Sequence, residues 1–278
     1  MQPPKNSQQG EYAASTDEFS VIQDDHPEGA WPQRFRSSGM PLNLSQEEMA
    51  GLRELNSMGS GQPSEEQLNN IIRKSGKPLV VVDLRQEPHA YIGGIPVTWF
   101  RPYVSDEELG AETMMSLQNR FVSKMKNTPK IKVDDVEWTQ GQEYRVINSI
   151  QLDNPEVMTE EDLSRSLGIG YKRFYISVTP TPEQVEEFKQ FVSEVGGVTL
   201  YFHCWDGSGR TTEFMAMHDI LRNGKNVSLA TILKRQAAMK GVDIGYLPPT
   251  SDLQYPRALK RKAFVEAYYA AVTGKVTK

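Results

Sequence analysis

The chain reads as an α/β domain with a mainly parallel central sheet flanked by helices, and three observations predict this. Lys77-Pro-Leu79-Val-Val-Val-Asp-Leu84 is a continuous apolar run, the pattern of a strand covered on both faces. Val198-Thr-Leu-Tyr-Phe202 is a second such run, and the segment from Thr211 to Leu221 carries Phe214, Met217, Ile220 and Leu221 at helical spacing. Strand and helix signals alternate toward the C-terminus, as crossover connections require.

The elements follow in order. Residues 1–30 are polar, rich in Gln, Ser, Asp and Pro, and are read as a disordered N-terminal tail, with 31–278 as one domain. Ser45-Gln-Glu-Glu48 has the form of a capping box and predicts a short helix. Ser64-Glu-Glu-Gln67 predicts another, with Leu68, Ile71 and Ile72 on its apolar face and Gly76 as its stop. Ser105-Asp-Glu-Glu108 begins a longer helix reaching about Lys126. Within 127–150, Ile131-Lys-Val133 alternates and Tyr144 to Ile150 follows, which predicts a β-hairpin. Phe174 to Val178 is a further strand. Thr181-Pro-Glu-Gln184 places proline at the first helical position, with Val185, Phe188 and Val192 on the buried face. Helices around 228–240 and 257–272 complete the pattern, and no internal repeat is visible.

The most informative segment is His203-Cys204-Trp-Asp-Gly-Ser-Gly-Arg210-Thr211, between the second apolar strand and its helix. A thiolate attacking phosphorus must be stabilised before an anionic substrate arrives. A loop whose N–H groups point inward, opening on a helix N-terminus, supplies that field, and the same field favours the thiolate. Trp205, Gly207, Ser208 and Gly209 are the cradle, and the two glycines stand where backbone approaches an anion closely. Arg210 matches two phosphate oxygens with one planar fork. His203 is assigned to orient the loop and the Thr211 hydroxyl to hydrogen-bond the sulfur. The spacing and context are those of a cysteine-phosphatase loop.

Composition bounds the setting. Hydrophobic residues make up 38% and charged residues 24%, enough apolar material for a core. One cysteine excludes an intramolecular disulfide. There is no apolar run of the roughly 18 residues that a membrane span needs, and the first residues lack the apolar core of a signal peptide. Location is left open between the cytoplasm and a secreted or delivered protein. The net charge of −5 argues against nucleic acid as a partner.

The residues also carry a family resemblance. Trp31-Pro-Gln-Arg34-Phe-Arg36, Gly59-Ser-Gly-Gln62-Pro-Ser, the long segment from Val82 to Trp99, Pro180-Thr-Pro182 and the Cys204 loop together resemble the protein-tyrosine-phosphatase-like inositol polyphosphatases of bacteria, the cysteine phytases. The likeness runs over roughly 31–272. It implies a core like that of dual-specificity phosphatases, with a small β-barrel-like insertion near 127–150. It also implies stepwise dephosphorylation of inositol polyphosphates through a phosphocysteine, with no metal and no cofactor.

Further site residues are assigned from both sources. Arg34 and Arg36, alternate residues of an extended segment, would share one face and suit a substrate with several phosphates. Arg85, ending a central strand with Asp83, is a substrate contact or a bracing ion pair. His89 is read as structural. In the basic run Lys260-Arg261-Lys262, the family draws pocket cations from this region but the sequence does not select one.

Two departures from the family stand out. Trp205-Asp206 follows the cysteine where a glutamate and a small residue are usual. The segment before Pro180-Thr-Pro182 is shorter and lacks the family's general-acid aspartate, since no Asp or Glu occurs between Asp162 and Glu183. Asp206 is the substitute acid nearest in sequence, and the Sac-type phosphoinositide phosphatases look similar at this position. Repulsion from thiolate and phosphate would keep it protonated; alternatively, it points outward and pairs with a cation. Three readings follow: an inositol phosphate phosphatase, a phosphotyrosine phosphatase acting on phosphoproteins in the manner of a delivered effector, and a pseudophosphatase that binds phosphorylated ligands.

Overall fold

The computed structural model describes residues 20–24, 29–100, 111–138 and 144–275. In chain order the strands and helices are β1 (Ser20–Gln23), β2 (Arg36–Ser37), β3 (Ser57–Ser60), α1 (Glu65–Ser75), β4 (Leu79–Arg85), β5 (His89–Ile92), β6 (Ile95–Phe100) and α2 (Ala111–Lys126). There follow β7 (Lys130–Trp138), β8 (Tyr144–Asp153), β9 (Val157–Met158), α3 (Glu160–Ser166), β10 (Gly170–Ile176), α4 (Pro182–Glu194), β11 (Thr199–His203), α5 (Gly209–Asn223), α6 (Leu229–Ala238) and α7 (Tyr255–Thr273).

The five-stranded sheet has the order β10-β4-β11-β3-β2, parallel throughout except where β2 joins β3. Alternation along the strands divides its core. Val82, Leu84, Leu200 and Phe202 face Phe188, Phe214, Met217, Ile232 and Val265 on the side of α4 to α7. Leu79, Val81 and Tyr201 face Leu68, Ile71 and Leu163 on the side of α1 and α3. The capping box predicted at α1 forms between Ser64 and Gln67, and Thr181 and Gln184 make a further one at α4 with proline at its start.

The predicted barrel-like insertion takes a different form. The hairpin β7–β8 forms and extends to Asp153, but it is the edge of a six-stranded sheet of order β8-β7-β1-β6-β5-β9. No pairing joins β8 to β9, so no barrel closes among the described residues. Phe121 and Val122 of α2 cover its core face, with Val97, Trp99, Ile131 and Val133. The helix assigned to begin at Ser105 starts outside the described residues, which enter it at Ala111.

Two other expectations are corrected. Residues 20–24 lie within the segment read as a tail, yet β1 pairs with β6 and buries Val21 and Ile22. Its partner lies far along the chain, so no local signal marks it. At Ser45 the capping-box bonds form, but the chain continues in turns to a short 3-10 segment, Arg53–Leu55. Gly51, at φ 73°, is left-handed and stops the helix from propagating.

Candidate active site

β11 lies between β3 and β4, so residues 204–208 leave the carboxyl edge of the parallel sheet and open on α5. Ligand crevices of open α/β sheets form at such an edge. Gly207 has φ 74°, and a Cβ there would stand 2.2 Å from the Gly61 nitrogen, so only glycine lets the loop pack on the end of β3. The Gln62 N–H donates to the Trp205 carbonyl at 3.0 Å. Arg36 donates from Nη1 to the Gly207 carbonyl at 2.8 Å and from Nη2 to Thr212 Oγ1 at 3.1 Å.

Cys204 is 1% exposed, and the Thr211 hydroxyl lies 3.1 Å from its sulfur and 3.2 Å from the Ser60 carbonyl. Its single proton serves one of them at a time. When it goes to sulfur, it stabilises negative charge there.

Arg210 lies six residues beyond Cys204, in the first turn of α5; burial pulls its guanidinium pKa down, but Glu87 first and the Cys204 site after it raise it above the ordinary value. Glu87 holds it in a bidentate pair, Nη1–Oε2 2.8 Å and Nη2–Oε1 3.0 Å. Nη1 also donates to the Ile176 carbonyl at 3.1 Å. Burial pushes the Glu87 carboxyl up, but Arg210 and then Arg85 outweigh it and hold the group well below the usual carboxylate range.

Asp206 neither points outward nor sits protonated. Oδ1 accepts the Ser208 N–H at 3.1 Å and lies 3.6 Å from the Cys204 sulfur, while Oδ2 accepts the Ser208 hydroxyl at 2.6 Å. Burial pushes its carboxyl up, but the two Ser208 donors, helped by Arg210 and Arg34, bring it below its ordinary value. These two donors outweigh the repulsion that would otherwise keep the carboxyl protonated.

The candidate cations separate. Arg34 has φ 55° and is exposed, whereas Arg36 is buried beneath the loop, so the two do not share a face. Burial pulls the Arg36 guanidinium down to about 10, which still leaves it charged at neutral pH. Arg85 is fully buried on Asp24, Glu87 and Gln62 and is the bracing pair rather than a substrate contact. His203 is fully buried as well and faces Glu160, away from any ligand.

Two residues, Glu213 and Trp138, escaped the sequence reading, and a third, Arg261, was named there only within its basic run. Arg261 is the member of its basic run that reaches the loop: a Cβ on Gly209 would lie 2.5 Å from its Nη2. Glu213, fully buried, accepts Arg261 Nε at 2.9 Å. Its Oε1 meets no donor among the described residues, and burial pushes the carboxyl up to about 8 despite Arg261. Trp138 of β7 meets Trp205 edge-on at 5.6 Å and stands with Tyr144 and Phe100, an aromatic wall beside the nucleophile. Nothing local marks Glu213, whose partner Arg261 lies 48 residues along the chain.

Asp83, Glu160 and His203 come close enough to share a metal ion. Their carboxylates already take protein donors, Tyr171, Arg173 and His89 on Asp83 and Gln62 and His89 on Glu160, so the protein balances the cluster itself.

Comparison with known proteins agrees with this geometry. The family model for protein-tyrosine-phosphatase-like phytases, described by the words inositol hexakisphosphate, matches residues 82–222. Effector protein hopD2 of Pseudomonas syringae pv. tomato is 28% identical over 240 residues, which is 84% of this chain and 50% of that protein. The chain thus spans about half the length of that relative. The tandemly repeated protein-tyrosine-phosphatase-like phytase of Mitsuokella multacida superposes with a TM-score of 0.82 at 24% identity, over 94% of this chain and 46% of that one. The corresponding phytase of Bdellovibrio bacteriovorus gives 0.70 at 27% identity, over 92% and 90%.

Proposed function

The chain belongs to the protein-tyrosine-phosphatase-like phytase family, and from that premise we propose that it is a cysteine-dependent phosphatase hydrolysing inositol polyphosphates. The observation that carries the reading is the convergence of the Thr211 hydroxyl, the Cys204 sulfur and Arg210 at one helix N-terminus. The Cys204 thiolate attacks phosphorus, forming the S–P bond as the P–O bond to the inositol breaks. Water then attacks the phosphocysteine, the S–P bond breaks, and phosphate leaves with the thiolate regenerated. Arg210 holds two oxygens of the transferring group throughout. Arg34 and Arg261, at the rim, meet neighbouring phosphates of the ring.

Expelling an inositol alkoxide needs a proton donor, and Asp206 is the assigned one. A phosphate dianion entering the loop raises the Asp206 pKa by repulsion and competes for the Ser208 donors, so the carboxyl takes up a proton as substrate binds. Glu87, held between two guanidiniums, is unsuited to that role.

One observation favours a second reading. The wall of Trp205, Trp138, Tyr144 and Phe100 suits an aromatic ring better than a fully hydroxylated one, and supports phosphotyrosine in a protein as substrate. The relative named an effector agrees with a delivered protein of that kind. Phosphate release from inositol hexakisphosphate and from a phosphotyrosine peptide, each against Cys204→Ser, separates the readings. Turnover of the inositol phosphate alone supports the first, and turnover of the peptide alone the second. Binding of both with turnover of neither identifies a pseudophosphatase.

A further inference from the structure

Both neighbours of Cys204 in the chain lead back to one buried carboxylate. His203, the residue before it, places Nε2 3.1 Å from Glu160 Oε1. The contact is close but not an aligned hydrogen bond, since neither ring nitrogen of His203 has an aligned partner among the described residues. Trp205, the residue after it, gives its carbonyl to the Gln62 N–H at 3.0 Å, and the Gln62 side chain donates Nε2 to Glu160 Oε2 at 3.1 Å. Glu160 itself is 1% exposed and opens α3, so nothing in the solvent competes for it.

The carboxylate is anchored from the far side. His89 of β5 lies 3.0 Å from Oε2 and continues to Asp83 at 3.2 Å, which Arg173 and Tyr171 hold in turn. Gln62 also accepts Arg85 Nη1 at 2.9 Å, and Arg85 reaches Glu87, the partner of Arg210. Burial pushes the Glu160 carboxyl up, but His203 and His89 bring it down to about 2, so it carries its charge throughout the neutral range.

We propose that Glu160 is a positioning residue for the nucleophile, fixing the peptides on both sides of Cys204 through His203 and Gln62 and tying the loop to the six-stranded sheet through His89. The Cys204 sulfur must stand within a few tenths of an ångström of its attack line, and a loop anchored on one side only would not keep it there. The proposal rests on the cysteine-phosphatase reading for its kinetic readout and not for its chemical one.

The test is Glu160→Gln, which keeps the shape and one acceptor but removes the charge that faces His203. The reaction of Cys204, the one thiol of the chain, with iodoacetamide reports its placement without any substrate. In full-length protein that still melts cooperatively, the alkylation rate should fall about fivefold or more. The kcat for an aryl phosphate should fall about 10–100-fold with KM changed far less. Alkylation and kcat both within about twofold of wild type would overturn the proposal. A loss of alkylation alone, in a chain whose wild type turns over no substrate, would uphold Glu160 and reject the phosphatase reading. If Glu160→Gln does not fold, Gln62→Met removes the other arm, and wild-type alkylation in that variant would equally overturn it.

Discussion

Glu87 occupies the Nη1–Nη2 edge of Arg210 with two hydrogen bonds of 2.8 and 3.0 Å, and so leaves the Nε–H and the second Nη2–H for a ligand. A guanidinium presents five N–H groups, and its Nε–Nη2 edge alone matches two phosphate oxygens. The carboxylate therefore braces the arginine without competing for the ligand's edge. Because Glu87 also takes Arg85 Nε at 3.1 Å, Arg210 is coupled to the end of β1 through Asp24.

Glu87→Gln should lower kcat/KM about 10–100-fold on every substrate, because the fork loses the partner that aims it. Its stability effect has a definite sign. The folded carboxyl lies below its ordinary 4.5, so its contribution is in place above that pH and is lost as pH falls through the depressed value. Wild type should lose stability below pH 4.5 more steeply than the variant; parallel acid-denaturation curves would count against the brace.

Arg34 and Arg36 should behave oppositely. Arg36→Ala removes the donor to the Gly207 carbonyl and should reduce kcat on all substrates alike. Arg34→Ala should cost about tenfold on inositol hexakisphosphate and little on a small aryl phosphate, because a lost charge-assisted hydrogen bond is worth about 1.5–3 kcal/mol. Equal losses for Arg34→Ala on both substrates would place it in the fold instead.

Glu213 predicts an alkaline weakness. Its folded carboxyl is raised from 4.5 to about 8, so its contribution is full below pH 4.5 and is lost as pH climbs through about 8. Glu213→Gln should remove that loss, on the order of 5 kcal/mol between the two limits. Denaturant unfolding at pH 5 and pH 9 measures it. The same decline with pH in variant and wild type would show that the orphan Oε1 is not its source.

Asp206→Asn separates the acid from the brace. If Asp206 protonates the leaving oxygen, the variant should lose about 10²–10⁴ in rate on an inositol phosphate and little on an aryl phosphate whose leaving group needs no proton. Equal losses on both would make it a loop brace for Ser208, and no loss would remove it from the mechanism.

The strand, glycine-bearing turn and helix around Cys204 were legible in sequence because they are contiguous, and local spacing places Cys204, Arg210 and Thr211 together. Arg36 and Arg85 have the same residue type that binds phosphate, but their partners, Gly207 and Asp24, lie 171 and 61 residues away. Nothing local distinguishes a buried brace from a pocket cation. The six-stranded sheet was legible only in part: alternation marked its β7–β8 hairpin, and the turn at Gly93-Gly94, with φ 59° and 78° between β5 and β6, carries a second local hairpin signal, but β1 pairs across the chain with β6. Arg261 could be singled out from its basic run only once the packing of α7 against the loop was known.

The central claim is that Cys204 carries the phosphoryl group, and acid-quenched turnover followed by mass spectrometry of the Cys204 peptide tests it most directly. One phosphoryl group is expected on Cys204 during turnover in the wild type, with no adduct and no phosphate release in Cys204→Ser. Phosphate released by Cys204→Ser at a rate within about tenfold of wild type would contradict it, because a serine hydroxyl cannot be activated by this loop as a thiolate is.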